Sequence, residues 1–218
     1  MRAVIFANGN IAYPHAAKAA IRQDDLLIAA DGGARNCFSL GLKPTFVIGD
    51  MDSIASEQRA ALEAGQTRFI TFPRNKDQTD LELAIGFATQ QGAGEILLLG
   101  LLGGRLDQTL ANLLLLSREE WNRSRLVVIE GPDTAYILHD RDSLSIPGDI
   151  GDIVSLLPLS PQVTGVTTQN LQWPLVNAIL HFGSTLSISN EMVSSPVEVK
   201  IHRGTMLVVH RIEEFENT

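Results

Sequence analysis

The sequence predicts an α/β protein: residues 1–140 form a mainly parallel sheet flanked by helices, and residues 141–218 form a small all-β domain. Three observations support this fold class. Short apolar runs alternate with stretches of helical period in the first 140 residues, which is typical of strand–helix–strand units. The runs are apolar on both faces, as in strands buried on both sides. Beyond that point the helical period stops, and glycines and prolines separate short runs of alternating polarity.

The first domain is predicted to contain seven strands and five helices. The predicted strands are Ala3–Ala7, Leu26–Ala30, Phe46–Ile48, Arg68–Phe72, Glu95–Leu99, Arg125–Ile129 and Ala135–Leu138. The predicted helices are Pro14–Arg22, Ala34–Leu40, Ser56–Ala64, Asp80–Gln91 and Gln108–Asn122. Thr79 is a natural cap for the fourth helix, and Glu82 stands where a capping box requires an acid.

The second domain is predicted to contain only strands. They are Ser143–Ile146, Ile153–Pro158, Gly165–Gln169, Leu186–Ser189, Val197–His202 and Met206–Ile212. A domain of about 75 residues buries little surface by itself. We therefore expect it to pack against the first domain or against another subunit.

Composition excludes several classes of protein. The 218 residues carry 25 acidic and 17 basic side chains, a formal net charge of −8, which argues against a non-specific nucleic-acid binder. The apolar runs, such as Ile96–Leu102, are far shorter than the ~20 residues of a membrane helix, and no signal peptide is recognisable. The single cysteine, Cys37, cannot form an intrachain disulfide and is expected in the core. We expect a cytoplasmic protein without nucleic-acid or membrane partners.

Aspartates follow four of the predicted strands. The segments are Asp31-Gly32-Gly33, Gly49-Asp50-Met51-Asp52-Ser53, Lys76-Asp77-Gln78-Thr79-Asp80 and Gly103-Gly104-Arg105-Leu106-Asp107-Gln108. Because the carboxyl ends of parallel strands meet at one edge of a sheet, where ligands bind, we expect these segments to converge. Taken singly, Asp31 or Asp107 is better explained as a turn residue or a helix cap than as a ligand-binding residue.

The pair Asp50 and Asp52 is more specific. Two carboxylates so close repel unless a cation lies between them, which indicates Mg²⁺; the alternative is that Asp52 or Ser53 caps the next helix. Four cations, Arg35, Arg74, Lys76 and Arg105, occur in or beside the same segments. Carboxylates that hold Mg²⁺ next to Arg and Lys are the chemistry of a polyphosphate site. The sequence contains neither GxxxxGK[ST] nor GxGxxG after a strand, which excludes an ordinary P-loop kinase or Rossmann dehydrogenase.

This ordered set of segments resembles the thiamine pyrophosphokinase family. Ala7-Asn8-Gly9 near the start also fits, as do Leu171-Gln172-Trp173-Pro174-Leu175 and Ser187-Ile188-Ser189-Asn190-Glu191 in the second domain. The resemblance implies an enzyme that transfers pyrophosphate from ATP to the hydroxyl of thiamine with Mg²⁺, giving thiamine pyrophosphate and AMP. It also implies a β-sandwich second domain and a homodimer in which thiamine lies between the α/β domain of one subunit and the β domain of the other.

The resemblance assigns roles to particular residues. Those expected at the catalytic and metal centre are Asp50, Asp52 and Asp80. Those expected to bind ATP are Asp31, Gly32, Arg35, Arg74, Lys76, Asp77, Arg105, Asp107 and Gln108. Those expected to bind thiamine are Asp80, Trp173, Ser189 and Asn190. Trp173 would hold the thiamine cation by stacking and cation–π attraction, whereas the residues alone favour core packing for it.

Two positions depart from the family pattern. Gln108 stands where the family usually has His, so this side chain can form hydrogen bonds but cannot titrate. Ser187 begins a string that is usually Gly-Thr-Ser-Asn-Glu, and serine resists backbone angles that glycine adopts. The altered string leaves open a same-fold pyrophosphokinase for another primary alcohol, such as a pterin. The sequence also leaves open a non-catalytic sensor of thiamine pyrophosphate or nucleotide, and an acidic structural domain with aspartates in turns.

Overall fold

The computed structural model describes residues 1–54, 56–103 and 105–214, so Gly104 of the fourth aspartate segment lies outside them. The chain divides into two compact units, the first Met1–Gly131 and the second beginning at Pro132. The division falls earlier than the predicted boundary after residue 140. The reason is that the predicted strand Ala135–Leu138 pairs with a strand near the C terminus, Met206–Arg211.

The first unit alternates strands and helices as predicted. Its strands are β1 (Arg2–Phe6), β2 (Leu26–Ala30), β3 (Phe46–Gly49), β4 (Arg68–Thr71), β5 (Glu95–Leu99) and β6 (Arg125–Glu130). Its helices are α1 (Pro14–Ala19), α2 (Ala34–Ser39), α3 (Ser56–Ala64), α4 (Asp80–Gln90) and α5 (Leu106–Leu115). Short 3₁₀ turns occur at Asp31–Gly33 and Glu119–Trp121. None of the described helices combines the length and apolar character needed to cross a membrane.

The six strands form a parallel sheet in the order β4-β3-β2-β1-β5-β6. Their central residues, such as Ile5, Ile28 and Leu98, are completely buried. Each such side chain contributes about 1.5–3 kcal/mol to folding by leaving water. The predicted parallel α/β fold is therefore confirmed.

The topology of this sheet creates a binding crevice. The chain passes from β1 to β2 on one side and later returns to β5 on the other side of β1. In open parallel sheets, ligands bind beyond the carboxyl ends of the strands at such a reversal. The segments after β1, β2 and β5 are therefore the expected walls of a site.

The helix ends depend on individual side chains. Thr79 caps α4 as predicted, since its Oγ1 accepts a hydrogen bond from Glu82 N at 3.2 Å. The Glu82 carboxylate, however, accepts hydrogen bonds from Gln78 Nε2 at 3.0 Å and Arg118 Nη1 at 2.6 Å. Helices α1 and α5 both end earlier than predicted; α5 gives way to the 3₁₀ turn that contains the buried Trp121.

The second unit is an antiparallel β-sandwich. Its strands are β7 (Asp133–Leu138), β8 (Ser143–Ile146), β9 (Ile153–Pro158), β10 (Gln162–Gln169), β11 (Ala178–His181), β12 (Asn190–Glu191), β13 (Val197–Lys200) and β14 (Met206–Arg211). They form two four-stranded layers, β12-β9-β14-β7 and β11-β10-β13-β8. Both layers contribute to one core, for example Leu156 and Val208 from the first and Ile146 and Val199 from the second. The predicted all-β second domain is confirmed.

One predicted strand of this unit is wrong, and two strands, β11 and the two-residue β12, were not predicted. Residues 186–189 form a turn rather than the strand Leu186–Ser189, with Ser189 at φ +58°. Leu186 and Ile188 are exposed whereas Ser187 is buried, so the alternation of apolar residues does not mark a buried face here. Strand β11 was missed because Leu180 is its only fully buried residue, which leaves almost no pattern to detect.

Candidate active site

Three carboxylates converge at the carboxyl ends of β2 and β3. Asp31, Asp50 and Asp52 each offer one oxygen, and these oxygens all lie within 4.8 Å of one another. We call these three residues the acidic cluster. Asp31 is buried, Asp50 is half-buried and Asp52 is exposed, so the cluster runs from the interior to solvent.

The backbone at the cluster adopts unusual angles. Asp31 has φ +42° and Met51, which separates the two other aspartates, has φ +65°. A non-glycine residue in this region costs on the order of 1–3 kcal/mol. The turn at Met51 directs both neighbours to the same side, where Asp52 N donates a hydrogen bond to Asp50 Oδ1 at 3.1 Å.

Asp80, the first residue of α4, borders the cluster across Gly49. A Cβ atom on Gly49 would lie 2.8 Å from Asp31 Cβ and 3.0 Å from Asp80 Oδ1. Only a residue without a side chain allows Asp31 and Asp80 to approach β3 from both sides in this way. The glycine therefore sets how closely these two carboxylates flank the strand end.

Two cations neutralise part of this negative charge. Lys76 Nζ lies 3.0 Å from Asp80 Oδ1, and Arg74 Nε lies 3.5 Å from Asp52 Oδ2. Both ion pairs come from the segment after β4, which the sequence predicted at this edge. Arg74 is highly exposed, whereas Lys76 is largely covered.

The surroundings change the pKa of two of these carboxyl groups in opposite directions. The hydrogen bond from Asp52 N, together with the positive charges of Lys76 and Arg74, lowers the pKa of Asp50. Burial raises the pKa of Asp80, and the negative charges of Asp31 and Asp50 add to this, although Lys76 opposes them. Asp50 therefore favours its charged form, whereas Asp80 is a stronger proton acceptor than an ordinary aspartate.

The acidic cluster fits a divalent cation. Oδ1 of Asp31 is buried and has no hydrogen-bond partner within the described parts of the chain. A buried carboxylate oxygen without a partner is costly. Carboxylate oxygens are the ligands that Mg²⁺ prefers, and a cation at this point would satisfy Asp31 and separate the three negative charges. The residues that fit a cation therefore include Asp31, which the sequence analysis expected to bind ATP rather than the metal.

A cavity of about 200 Å³ adjoins the cluster. Its walls include Asn8 after β1, Asp31 after β2, Asp80 at the start of α4, and Gly103 and Gln108 near the start of α5. The predicted convergence of the four aspartate segments is thus observed. The segments after β2 and β3 form the acidic cluster, the segment after β4 pairs with it through Arg74, and the segment after β5 shares the cavity wall. Gln108, the residue that replaces the usual histidine, lines this cavity.

The segment after β1 is held by two residues, one of which sequence reasoning did not assign to the site. Asn36 Nδ2 donates hydrogen bonds to Ala7 O at 2.7 Å and to Gly9 O at 2.9 Å. Between these two residues, Asn8 Oδ1 accepts a hydrogen bond from Arg35 Nη2 at 2.6 Å. For Asn36, the one signal in the sequence was an asparagine inside a short helix, where its low helix propensity needs a compensating role.

Arg105, Asp107 and Asp77, which are predicted to bind ATP, are all exposed. Arg105 Nε donates to Asp107 Oδ1 at 3.0 Å, and both side chains are exposed. The arginine lowers the pKa of the Asp107 carboxyl through this hydrogen bond. Asp77 is exposed, and its side chain has no ion pair with residues 1–54, 56–103 or 105–214.

The predicted thiamine-binding residues of the second unit are close neighbours. Trp173 has 62% of its surface exposed, so core packing does not explain it. The buried Asn190 side chain accepts a hydrogen bond from Trp173 N at 3.1 Å and donates one to Trp173 O at 2.7 Å. Ser189 N donates to Ser155 Oγ at 3.0 Å, which ties the turn to β9.

The serine that replaces glycine is accommodated without strain. Ser187 does not have a positive φ, so this position does not require glycine. Its buried hydroxyl donates to Leu156 O at 2.8 Å, and its own carbonyl accepts from Leu156 N at 2.8 Å. The observation that kept a pterin substrate open therefore loses its physical basis.

Fold and site together define an α/β protein that gathers carboxylates and cations at the strand ends of a parallel sheet and continues into a β-sandwich. The family model described as thiamin pyrophosphokinase, catalytic domain, matches residues 17–128. The model described as thiamin pyrophosphokinase, vitamin B1 binding domain, matches residues 142–206. The chain belongs to the thiamin pyrophosphokinase family, which confirms the resemblance seen in the sequence.

Individual relatives agree with this assignment. The chain is 27% identical over 184 residues to the thiamine pyrophosphokinase of Bacillus subtilis, which covers 84% of this chain and 86% of that protein. It is 28% identical over 198 residues to thiamine pyrophosphokinase 1 of Oryza sativa subsp. japonica, which covers 80% of this chain and 74% of that protein. The crystal structure of the Bacillus subtilis enzyme superposes with a TM-score of 0.86 at 26% identity, covering 98% of this chain and 100% of that one.

Proposed function

We propose that this protein transfers a pyrophosphoryl group from ATP to the hydroxyl of thiamine, giving thiamine pyrophosphate and AMP. The observation that carries the proposal is the acidic cluster beside Arg74 and Lys76, in a chain whose two family matches are a catalytic and a vitamin B1 binding domain. Enzymes of phosphoryl transfer use carboxylates that bind Mg²⁺ together with neighbouring cations that bind phosphate.

Asp50 and Asp52, with Asp31 beside them and Asp80 at the border, would hold Mg²⁺. An Mg²⁺ ion bound by these residues would neutralise negative charge on the phosphates of ATP. Arg74 and Lys76 would add direct ion pairs to the transferred group. Gly32, Arg35 and Gln108 would bind the rest of ATP in the crevice, and Asp77, Arg105 and Asp107 complete the proposed nucleotide contacts. Positioning and charge stabilisation of this kind account for most of the catalysis in phosphoryl transfer.

Asp80 is the proposed proton acceptor. The thiamine hydroxyl oxygen attacks the β-phosphorus of ATP, the bond from that phosphorus to the oxygen bridging the α- and β-phosphates breaks, and AMP leaves with the bridging oxygen. The hydroxyl proton passes to Asp80, whose carboxyl borders the acidic cluster and lies in the wall of the cavity. Lys76, 3.0 Å away, orients the carboxylate.

Thiamine is a cation, and we propose that the exposed indole of Trp173 stacks on it, with Ser189 and Asn190 beside it. Such a cation–π contact contributes roughly 0.5–2 kcal/mol. We also propose a cytoplasmic homodimer with shared active sites. Large apolar side chains, including Val176, Phe182 and Leu186, are strongly exposed in the second unit, and a partner subunit would cover them.

The direct test is to incubate the purified protein with ATP, Mg²⁺ and thiamine and to separate the products by chromatography. We expect AMP and thiamine pyrophosphate in equal amounts. A folded protein that forms neither product contradicts the proposal. Adding a hydroxymethyl pterin as competitor in the same assay should leave the rate unchanged, and light scattering on the same sample should give the mass of a dimer.

A further inference from the structure

The side chain of Asn190 forms hydrogen bonds at both ends of its amide with the backbone of one residue. Its Oδ1 accepts from Trp173 N at 3.1 Å, and its Nδ2 donates to Trp173 O at 2.7 Å. Only 8% of the Asn190 surface is exposed. A carboxamide with one donor and one acceptor used in this way imitates a peptide group of a neighbouring strand.

This pairing extends a ladder that would otherwise end. Leu171 forms an isolated antiparallel bridge with Met192, and Gln172 N donates to Glu191 O at 2.9 Å. At Trp173 the next partner is the Asn190 side chain in place of a backbone group. The carboxamide therefore fixes the main chain of Trp173 one residue beyond the backbone pairing.

Asn190 is itself held firmly. It pairs with Val154 in the ladder between β12 and β9, and the preceding residue donates from its backbone to Ser155 Oγ. The indole of Trp173, in contrast, is mostly in solvent, so packing of the ring does not determine where it points. The direction of the ring depends on the backbone to which it is attached.

We propose that Asn190 is a positioning residue, which fixes the backbone of Trp173 so that the exposed indole presents a preset face to a flat cationic ligand. The identity of that ligand as thiamine rests on the proposed function. The new element is the role of Asn190: its amide pairs at both ends with the backbone of Trp173, and its effect on the ligand acts through that residue. A preset ring binds more tightly because less side-chain and loop freedom is lost on binding.

The first test needs no ligand. In the wild-type protein, the Trp173 amide hydrogen should exchange with solvent slowly although the ring is exposed. In Asn190→Asp, one carboxylate oxygen can still accept a hydrogen bond from Trp173 N. The other carboxylate oxygen replaces the Nδ2 donor, so it lies against Trp173 O without a hydrogen bond and the two oxygens repel each other. Asn190→Ala removes both hydrogen bonds. Because losing a buried hydrogen bond makes local opening at Trp173 easier, we expect exchange there to be about tenfold faster or more in both variants.

Gln162→Glu is the matched control, since it makes the same amide-to-acid change on an exposed residue of the same unit, opposite His181 in the ladder. We expect wild-type exchange at Trp173 in this control. Acrylamide quenching of tryptophan fluorescence adds a second readout, because Trp173 is exposed and the other tryptophan, Trp121, is buried. Fast exchange at Trp173 in the wild-type protein overturns the proposal without any variant, even if Asn190→Ala fails to fold.

The second test separates positioning from contact. With ATP saturating, we expect the KM for thiamine to rise about tenfold in Asn190→Asp, while the KM for ATP and kcat at saturating thiamine stay within about twofold of wild type.

A higher KM for thiamine with unchanged exchange at Trp173 would mean that Asn190 contacts the ligand, and it overturns the proposal. An unchanged KM with faster exchange overturns it as well. If the wild-type protein neither binds nor turns over thiamine, the proposed function fails, and the exchange experiment still decides whether Asn190 fixes Trp173.

Discussion

Single residues at the acidic cluster show why it needs a cation. The buried Oδ1 of Asp31 has no hydrogen-bond partner within the described residues, and two more carboxylates lie within 4.8 Å of it. Arg74 and Lys76 pair with Asp52 and Asp80, which leaves Asp31 without a positive partner there. Removing one carboxylate should therefore affect function much more than stability.

Asp52→Asn is the most direct test at this scale, because it removes a charge while nearly preserving shape. If Asp52 helps to hold Mg²⁺, we expect kcat to fall by about two orders of magnitude or more, measured as AMP release at saturating substrates. The control is Asp24→Asn, an exposed aspartate of the same unit that should keep wild-type activity. A loss of only a few-fold would support the alternative that Asp52 serves the following helix as a cap.

The convergence of Asp52 with the other aspartates could be predicted from the sequence, whereas the bonds between Asn190 and Trp173 could not. Asp50 and Asp52 are neighbours in a distinctive string that follows a buried strand, so their convergence with Asp31 follows from the geometry of parallel strands. The bond between Asn190 and Trp173, like those from Asn36 to Ala7 and Gly9, joins a side chain to the backbone of a distant segment. No periodic pattern in the sequence predicts hydrogen bonds of this kind.

At the scale of elements, the sequence identified the strands that are buried on both faces and was less accurate for those that are not. Strands β1, β2 and β5 lie within a residue of their predicted limits because nearly every side chain in them is buried. Strand β11 and the false strand Leu186–Ser189 lie where large apolar side chains face solvent, including Ile179 and Leu186. An exposed apolar face has the same sequence pattern as a buried one, and only the tertiary structure distinguishes them.

The end of β14 is fixed by a buried carboxylate. Asp152 Oδ2 lies 2.8 Å from His210 Nε2 and accepts from Asp149 N at 3.0 Å, while Oδ1 accepts from Glu213 N at 3.2 Å. Burial opposes the charged form, but the hydrogen bonds from Asp149, His210 and Glu213 together outweigh it and lower the pKa of Asp152 below its usual 3.8. A lowered pKa in the folded state stabilises the protein above the unfolded-state pKa, and this contribution disappears as pH falls through the folded-state value.

We therefore expect Asp152→Asn to reduce the free energy of unfolding at pH 7, by about 1–3 kcal/mol for a buried hydrogen-bonded charge. The difference between wild type and variant should shrink as pH falls below the usual value of 3.8. Urea unfolding at pH 7 and at the lowest pH at which both proteins fold measures it, with the exposed Asp24→Asn as control. A difference that is constant across this range would show that the charge of Asp152 does not contribute.

For the whole molecule, the acidic site explains most of the net charge. The formal charge is −8, and six of the 25 acidic residues are the aspartates of the four strand-end segments, so the remaining acids nearly balance the 17 basic residues. The excess of acid that composition alone shows as a global property is concentrated at one edge of the parallel sheet. The stability of the folded chain should consequently depend on cations that bind there.

We expect millimolar MgCl₂ to raise the melting temperature of the protein in the absence of nucleotide and thiamine. A ligand that binds only the folded state at ten times its Kd stabilises it by about 1.4 kcal/mol, which is about 3–6 °C for a chain of this size. NaCl at equal ionic strength should give a smaller rise, because screening acts on all surface charges whereas Mg²⁺ acts on Asp31, Asp50 and Asp52 together. Asp50→Asn should melt at the same or a slightly lower temperature than wild type without Mg²⁺, since the lowered pKa of Asp50 shows that the fold favours its charged form, and it should lose most of the Mg²⁺-dependent rise. Equal shifts with MgCl₂ and NaCl, or an undiminished Mg²⁺ response in Asp50→Asn, would place the cation site elsewhere on the molecule.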